Sequence, residues 1–569
     1  MSASTPPPAA VTVELDVPAR MRDGVTLRAN VYRPSGTGPW PTLLARLPYR
    51  KDDPRLMSFW LDPIEAARHG FMVVVQDTRG RFASEGEWLP FRYEREDGYD
   101  TVEWAARLPG SNGRVGMYGP SYFGNTQWLA AIEQPPSLAS ISPACTWSEP
   151  LDGLLARGGA LEFGVSLHWG LETGAGHVAL KVEGSDEERA RAVGAVLDDY
   201  DRLAAGRGYE HLPAHESTVV SRHGVPDLGS LRMATEPDVP AWCRVAGQHE
   251  RVTVPSFHIG GWYDIFLQGT LDNYVAMAAL GRPSRLLVGP WGHEPEALSD
   301  PIGELRFGIR AGALGVPAHP HGDVTGEQLA WHRRYLTPDA APQQEPDETP
   351  VRIFVMGRNE WRDERAWPLE RAREERWFLG AGGDLLPGAA RDGDEPTTFV
   401  YDPADPVPTV GGHVVLKPTV PSGPFDQAGV EAREDVCVFT SEPLREELEV
   451  TGRVRVVLHA ESSAPSTDWV ARLCDVHPDG RSFNLCDGIL RVVEGADAPR
   501  RVEIDLWSTS NVFLAGHRLR VHVTSSSFPR WDRNLNTGDQ RDARFEVARQ
   551  RIHHDAERPS YIELPVVAS

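Results

Sequence analysis

The sequence predicts an α/β domain carrying an inserted helical segment, followed by a C-terminal β-sandwich. Three observations lead there. Strand and helix patterns alternate over residues 11–148, helix patterns dominate 149–240, and a period of two takes over beyond 350. Alternating β and α elements give a mainly parallel sheet with helices on its faces, whereas short strands separated by regular turn signals give a sandwich.

Element by element, TVELDVP, VTLRANVYRP, PTLLARLPY, FMVVVQD and RVGMYG read as strands. DGYDTVEWAARLPG and the segment after Ser121 read as helices, the latter amphipathic and stopped by Pro135 and Pro136. In the insertion, Ser185 and Glu188 have capping-box spacing. Val193, Val196, Leu197, Tyr200 and Leu203 then share one helical face, and Gly206 stands where a C-terminal cap is expected. Strands resume at VPSFHIGGWYD and SRLLVGPWGH. The α/β domain therefore comprises 1–148 plus 241–350, with 149–240 placed as a cap over a site. PDAAPQQEPDETP, 338–350, marks a boundary, and 351–569 reads as the sandwich through VRIFVMG, RVRVVLHAES and HRLRVHV.

Composition excludes several functions. A chain of 569 residues exceeds one ordinary core. A net charge of -23, with no basic run, argues against nucleic acid as a partner. No apolar run approaches membrane-spanning length, and the N-terminus lacks a basic-then-apolar leader. Five scattered cysteines, with no CxxC pair, predict reduced buried thiols and a cytoplasmic protein. The histidine clusters, HPH at 319–321 and HH at 553–554, lack metal-ligand spacing, so no metal site is assigned. Homodimerisation is left open.

The chemistry concentrates in GRVGMYGPSYFGNTQWLAAIEQPP, residues 113–136. A serine at a strand-to-helix corner can be a nucleophile, provided small flanking residues let the strained turn form. Gly119 and Gly124 flank Ser121, although strict G-x-S-x-G fails at Phe123. The other reading is a serine that caps the helix. Two further strand ends favour the nucleophile: Asp264 after VPSFHIGGWY and His293 after SRLLVGPWG. A serine hydroxyl needs a base, and the base needs a carboxylate to fix its tautomer. The order Ser121, Asp264, His293 is that of α/β-hydrolases. Oxyanion donors would be the Tyr122 N–H and, from RLPYRKDD, the Tyr49 phenol; pattern alone also fits Tyr49 as a half-buried strand-end aromatic.

LPYRKDD, QDTRGRFASEGEW, GPSYFG, GGWYDIF and GPWGH together resemble the cocaine-esterase-like hydrolases, relatives of X-prolyl dipeptidyl peptidases and α-amino acid ester hydrolases. FVMGRNEWRDERAWPL, YDPADPVP, TSNVFLAGHRLRV and SSSFPRWDRNLNTG extend the resemblance over essentially the whole chain. It implies an α/β-hydrolase domain, an inserted helical cap and a C-terminal jelly roll. It carries nucleophile, acid and base onto Ser121, Asp264 and His293, the oxyanion donors onto Tyr49 and Tyr122, and scaffolding onto Asp77 and Arg79. It places Phe266, Trp169 and Leu416 around an apolar acyl pocket, with Leu154 where a second cap aromatic is expected. Ile265, Phe266 and Leu267 stand where amino-acid ester hydrolases carry ammonium-binding carboxylates. The expectation is a serine carboxylesterase for small-molecule esters with an apolar or aromatic acyl group, requiring no cofactor. The alternatives are an X-Pro dipeptidyl-peptidase or an α-amino acid ester hydrolase/β-lactam acylase, and a carbohydrate-binding jelly-roll protein with an inert hydrolase domain.

Overall fold

A ten-stranded sheet forms the frame of the first domain in this computed structural model. The structure describes residues 10–568 apart from 54–59, 182, 295–297, 314–322, 338–347, 392–394, 417 and 494–497. Its strands are β1 (Val11–Arg20), β2 (Thr26–Pro34), β3 (Trp40–Leu47), β4 (Met72–Asp77), β5 (Ser111–Pro120), β6 (Leu138–Ala144), β7 (Ser256–Gly261), β8 (Ser284–Gly289), β9 (Val351–Val355) and β10 (Glu360–Glu364). They run in the order β1-β2-β4-β3-β5-β6-β7-β8-β9-β10. The central strands pair in parallel from β4 to β9, while β1, β2 and β10 join antiparallel. Every residue of β4 and β7 is buried, as a parallel sheet covered on both faces requires.

The main helices are α1 (Pro63–Arg68), α2 (Glu94–Ala106), α3 (Tyr122–Ile132), α4 (Phe163–Lys181), α5 (Asp186–Ala204), α6 (Leu267–Ala279) and α7 (Val324–Leu336), of which all but α4 and α5 pack on the sheet. The sequence suggests an amphipathic α3, yet all eleven of its residues are buried. Its mix of small, aromatic and amide side chains is what such burial needs. Asn125 Nδ2 and Gln127 Nε2 donate to the backbone carbonyls of Cys243 and Gly119, and Gln127 Oε1 accepts the Ser142 N–H, so these amide groups find partners inside.

The insertion holds α4, α5 and short helical turns. Ser185 caps α5 in a complete capping box, and Gly206 follows its end at φ 71°. Val196 and Leu203 are buried, but Leu197 is 49 % exposed, so the apolar stripe is narrower than the periodicity suggests.

The third region is β-rich, an eleven-stranded, mostly antiparallel sheet running from Ala372–Gly380 to Tyr561–Val567. VRIFV is β9, which pairs in parallel with β8, and β10 extends the same sheet. Residues 351–364 therefore extend the first sheet, and the first strand of the second sheet begins at Ala372. The alternation in VRIFVMG is misleading because Ile353, Phe354 and Val355 are all buried, the pattern of a parallel strand. The boundary segment at 338–347 lies outside the described residues.

The regions share cores. Trp262 and Trp291 of the first domain lie in one apolar cluster with Ile504, Leu506 and Trp507 of the third. A buried charge cluster ties the cap to the third domain. Arg157 donates to the carbonyls of Asp487 and Asp505 and lies over the Trp507 ring at 3.6 Å. Arg530 donates to the Asp487 carboxylate at 2.7 Å. Burial alone would raise the Asp487 carboxyl, but the Arg530 charge and its neighbours His413 and Arg472 hold it far below the ordinary range. Removing one partner of such a cluster leaves buried charge uncompensated. Asp487→Asn should therefore cost on the order of 3–5 kcal/mol in urea unfolding at neutral pH; a loss below about 1 kcal/mol would show the cluster is not a staple.

Candidate functional site

The site is built where β5 turns into α3. Ser121 sits at φ 58° and ψ −125°, a backbone conformation that costs a non-glycine residue about 1–3 kcal/mol. Contacts on both sides fix it. Its N–H donates to the carbonyls of Ala144 and Cys145 at 2.9 and 3.2 Å, and its own carbonyl accepts from Gly124 N, Asn125 N and Thr146 Oγ1.

Two glycines make this turn possible. A Cβ on Gly119, which has φ 124°, would lie 2.1 Å from the Phe123 ring. A Cβ on Gly124 would lie 2.9 Å from the Ala144 carbonyl oxygen. The helix meets β6 three residues after the serine, so the second glycine belongs at 124, and Phe123 is accommodated because residue 119 has no side chain.

The strand ends of β7 and β8 bring in the other two groups. His293 Nε2 lies 3.0 Å from Ser121 Oγ, and His293 Nδ1 lies 2.6 Å from Asp264 Oδ2. Asp264 is fully buried, and its second oxygen accepts the Phe266 N–H at 2.7 Å. The Cys145 thiol beside it is pushed well up by burial and stays protonated. With Nδ1 turned to a carboxylate, Nε2 is left to accept the serine proton.

Two groups of the expected oxyanion site lie next to the serine, Tyr122 in sequence and Tyr49 across the cavity. The Tyr122 N–H opens α3, where helix geometry leaves it without an intrahelical acceptor. The Tyr122 hydroxyl is anchored between Glu94 Oε1 at 2.8 Å and the Phe91 N–H at 2.9 Å, and Arg46 holds Glu94 from behind. Tyr49 reaches in from the end of β3. Burial pushes its phenol up, so it stays protonated, and its hydroxyl interacts with both Trp169 and Ser121. Asp77 accepts the Lys51 N–H, and Arg79 pairs with Asp97; these bonds brace the loops beside the turn.

A cavity of roughly 410 Å³ opens in front of Ser121 and His293. Tyr49, Phe82, Phe123, Trp169 and Val415 supply its apolar wall. Of the three residues expected around an acyl pocket, Trp169 is there. Phe266 is buried beneath it, its ring edge-on to His293 at 5.2 Å and to Trp147 at 4.9 Å. The Asp264–Phe266 turn bond folds its chain back under the histidine. Leu416 is buried with Val414 and Val420 against Gly164, and the adjacent Val415 faces the cavity instead. Leu154 is buried in the cap core.

Two carboxylates line the same cavity, Glu172 of α4 and Glu294 after His293. Glu294 Oε2 accepts from Ser422 Oγ of the third domain at 2.6 Å. The absence of counter-charge at 265–267 thus does not extend to the cavity. Glu294 is legible as the residue next to His293, and Glu172 as the position one helical turn beyond Trp169. Among the described residues one group has the spacing to hold a metal ion: Asp475, His477 and His517 in the third domain. There His517 Nδ1 already bonds Asp475 at 2.8 Å. HPH at 319–321 lies outside the described residues. All five cysteines are buried and unpaired. No described helix is long and apolar enough to cross a membrane.

A serine hydrolase is the class of protein that this fold and this relay define. Residues 23–295 match the X-Pro dipeptidyl-peptidase (S15) family, and 345–563 match the X-Pro dipeptidyl-peptidase C-terminal non-catalytic domain. Cocaine esterase from Rhodococcus sp. (strain MB1 Bresler) is 36% identical over 598 residues, spanning 98% of this chain and 99% of that protein. An aminopeptidase from the marine sediment archaeon Thaumarchaeota archaeon aligns with a TM-score of 0.80 and 25% identity, covering 100% of this chain and 98% of its own. An α-amino acid ester hydrolase shares the fold at a TM-score of 0.75 and 24% identity, covering 100% and 98%. The chain belongs to the cocaine-esterase-like serine hydrolases of the X-Pro dipeptidyl-peptidase superfamily.

The charge environment of His293 sets a pH dependence. Burial, the largest influence, favours the neutral ring, but the Asp264 charge and hydrogen bond, with Glu294 and Glu172, outweigh it and raise the imidazole above its ordinary value. A general base works in its neutral form, so activity should fall as pH drops through that raised value. The acid limb of kcat/KM should therefore lie above 6.5. Glu294→Gln removes a negative charge and should move the limb to lower pH; an unmoved limb would take Glu294 out of that environment.

Proposed function

We propose that this protein is a serine carboxylesterase that hydrolyses small-molecule esters with an apolar or aromatic acyl group through an acyl-enzyme. The observation that carries it is the Ser121–His293–Asp264 relay opening into an aromatic-walled cavity. Ser121 Oγ attacks the ester carbonyl while His293 Nε2 takes its proton, and Asp264 stabilises the resulting imidazolium. The tetrahedral oxyanion is held by the Tyr49 hydroxyl and the Tyr122 N–H. As it collapses, the C–O bond to the alcohol breaks and His293 returns the proton to the leaving alkoxide. Water then enters, gives its proton to His293 and attacks the acyl carbon; the acid leaves and Ser121 regains its proton. Each role is filled by a side chain or backbone group of this chain, with a small-molecule ester as its partner.

Two variants test the assignment on p-nitrophenyl butyrate. Ser121→Ala should fold normally and lose on the order of 10⁶ in kcat. Tyr49→Phe should lose on the order of 10²–10³. An unchanged rate in the first would remove the nucleophile, and a loss below threefold in the second would remove Tyr49 from the oxyanion site.

A second reading follows from Glu172 and Glu294, which offer a counter-charge to a substrate ammonium. Matched p-nitrophenyl phenylacetate and phenylglycinate decide between them. The esterase reading expects kcat/KM for phenylacetate to equal or exceed that for phenylglycinate. A preference for the amine that disappears in Glu172→Gln or Glu294→Gln would shift the assignment to amino-acid esters.

A further inference from the structure

We infer that Trp169 and Arg81 are positioning residues for the Tyr49 phenol, so that the cap helix α4 and the buried guanidinium together aim the oxyanion donor at the serine. The inference rests on the proposed role of Tyr49.

The bond that carries it is between Trp169 Nε1 and Tyr49 Oη, 2.9 Å long. An indole N–H can donate but not accept, so the direction of this bond is fixed: Tyr49 is the acceptor. The phenol has one proton, and with the indole facing its oxygen that proton is left for the Ser121 side. A donor into the phenol oxygen also strengthens the hydrogen bond the phenol gives, since linked hydrogen bonds polarise one another. Trp169 thus does more than line the cavity.

Arg81 closes the circuit from behind. Its Nε donates to the Pro48 carbonyl at 2.7 Å, the peptide unit leading into Tyr49. Its Nη2 donates to the Thr173 carbonyl of α4 at 3.2 Å, and Thr173 Oγ1 bonds the Trp169 carbonyl at 2.6 Å. The guanidinium lies over Trp88 at 4.0 Å, and Trp88 packs on Trp169 with ring centroids 5.7 Å apart. One side chain therefore fixes the spacing between the phenol and the indole that bonds it. Arg81 is 1 % exposed, and its hydrogen bonds go to two carbonyls rather than to a carboxylate. Burying a cation this way costs stability, which fits a group kept for geometry. Burial lowers the guanidinium only to about 10, so it remains charged at neutral pH. That charge favours negative charge on the Tyr49 oxygen.

A double-mutant cycle on p-nitrophenyl butyrate tests this, with circular dichroism to confirm folding. Trp169→Phe keeps the aromatic wall and removes the N–H. It should lower kcat by about 3–10-fold, the worth of one hydrogen bond, with KM within about twofold. In a Tyr49→Phe background the same change should cost less than about twofold in kcat, because the bond it breaks no longer has its acceptor. Arg81→Met should behave likewise, and Arg81→Lys should recover part of the loss. A raised KM with unchanged kcat, or an equal loss with and without Tyr49, would make Trp169 a wall residue and overturn the inference. Tyr49→Phe losing less than threefold by itself would instead overturn the oxyanion assignment beneath it.

Discussion

The strained turn at Ser121 is the constraint on which the rest of the site depends. Holding a serine at φ 58° requires a glycine at 119 to make room for Phe123, a glycine at 124 to let α3 reach β6, and carbonyls at 144 and 145 to receive the serine N–H. That same geometry points Oγ out of the sheet edge and leaves the first N–H of α3 beside it. The ends of β7 and β8, the next strands in the sheet, then present Asp264 and His293 at hydrogen-bonding distance. Parallel strands end on one edge, so residues far apart in sequence meet there without special loops.

The other two regions finish what the sheet begins. The cap supplies Trp169 and Glu172, and the third domain supplies Val415 and, through Ser422, holds Glu294. The cavity is thus assembled from all three, and the Arg157–Asp487–Arg530 cluster keeps the cap and third domain in register. An indole bonded to the phenol of Tyr49 makes the cap part of the chemistry as well as a cover.

The fold class and the relay are legible in the sequence because they depend on local signals. Strand-turn-helix patterns mark the corner at Ser121, and strand ends mark Asp264 and His293. The cavity wall is less legible because facing residues come from separate elements. Phe266 and Leu416 follow a motif count, yet one residue of backbone direction decides which side chain enters the cavity: Val415 does, and Leu416 turns into the core. Residues 351–364 join the first sheet for a similar reason, since an alternating pattern does not reveal which strand edge it will pair with. The bonds of Arg81 to Pro48 and Thr173 are illegible in principle from one sequence, since they span the α/β domain and its cap.

Covalent labelling reports whether Ser121 is an activated nucleophile. The purified protein is treated with a fluorophosphonate at neutral pH and read by intact mass and peptide mapping, with Ser121→Ala alongside. One adduct per chain is expected, located on Ser121 and absent from the variant. An unlabelled wild-type protein, or an adduct on a different residue that persists in the variant, would contradict that role for Ser121.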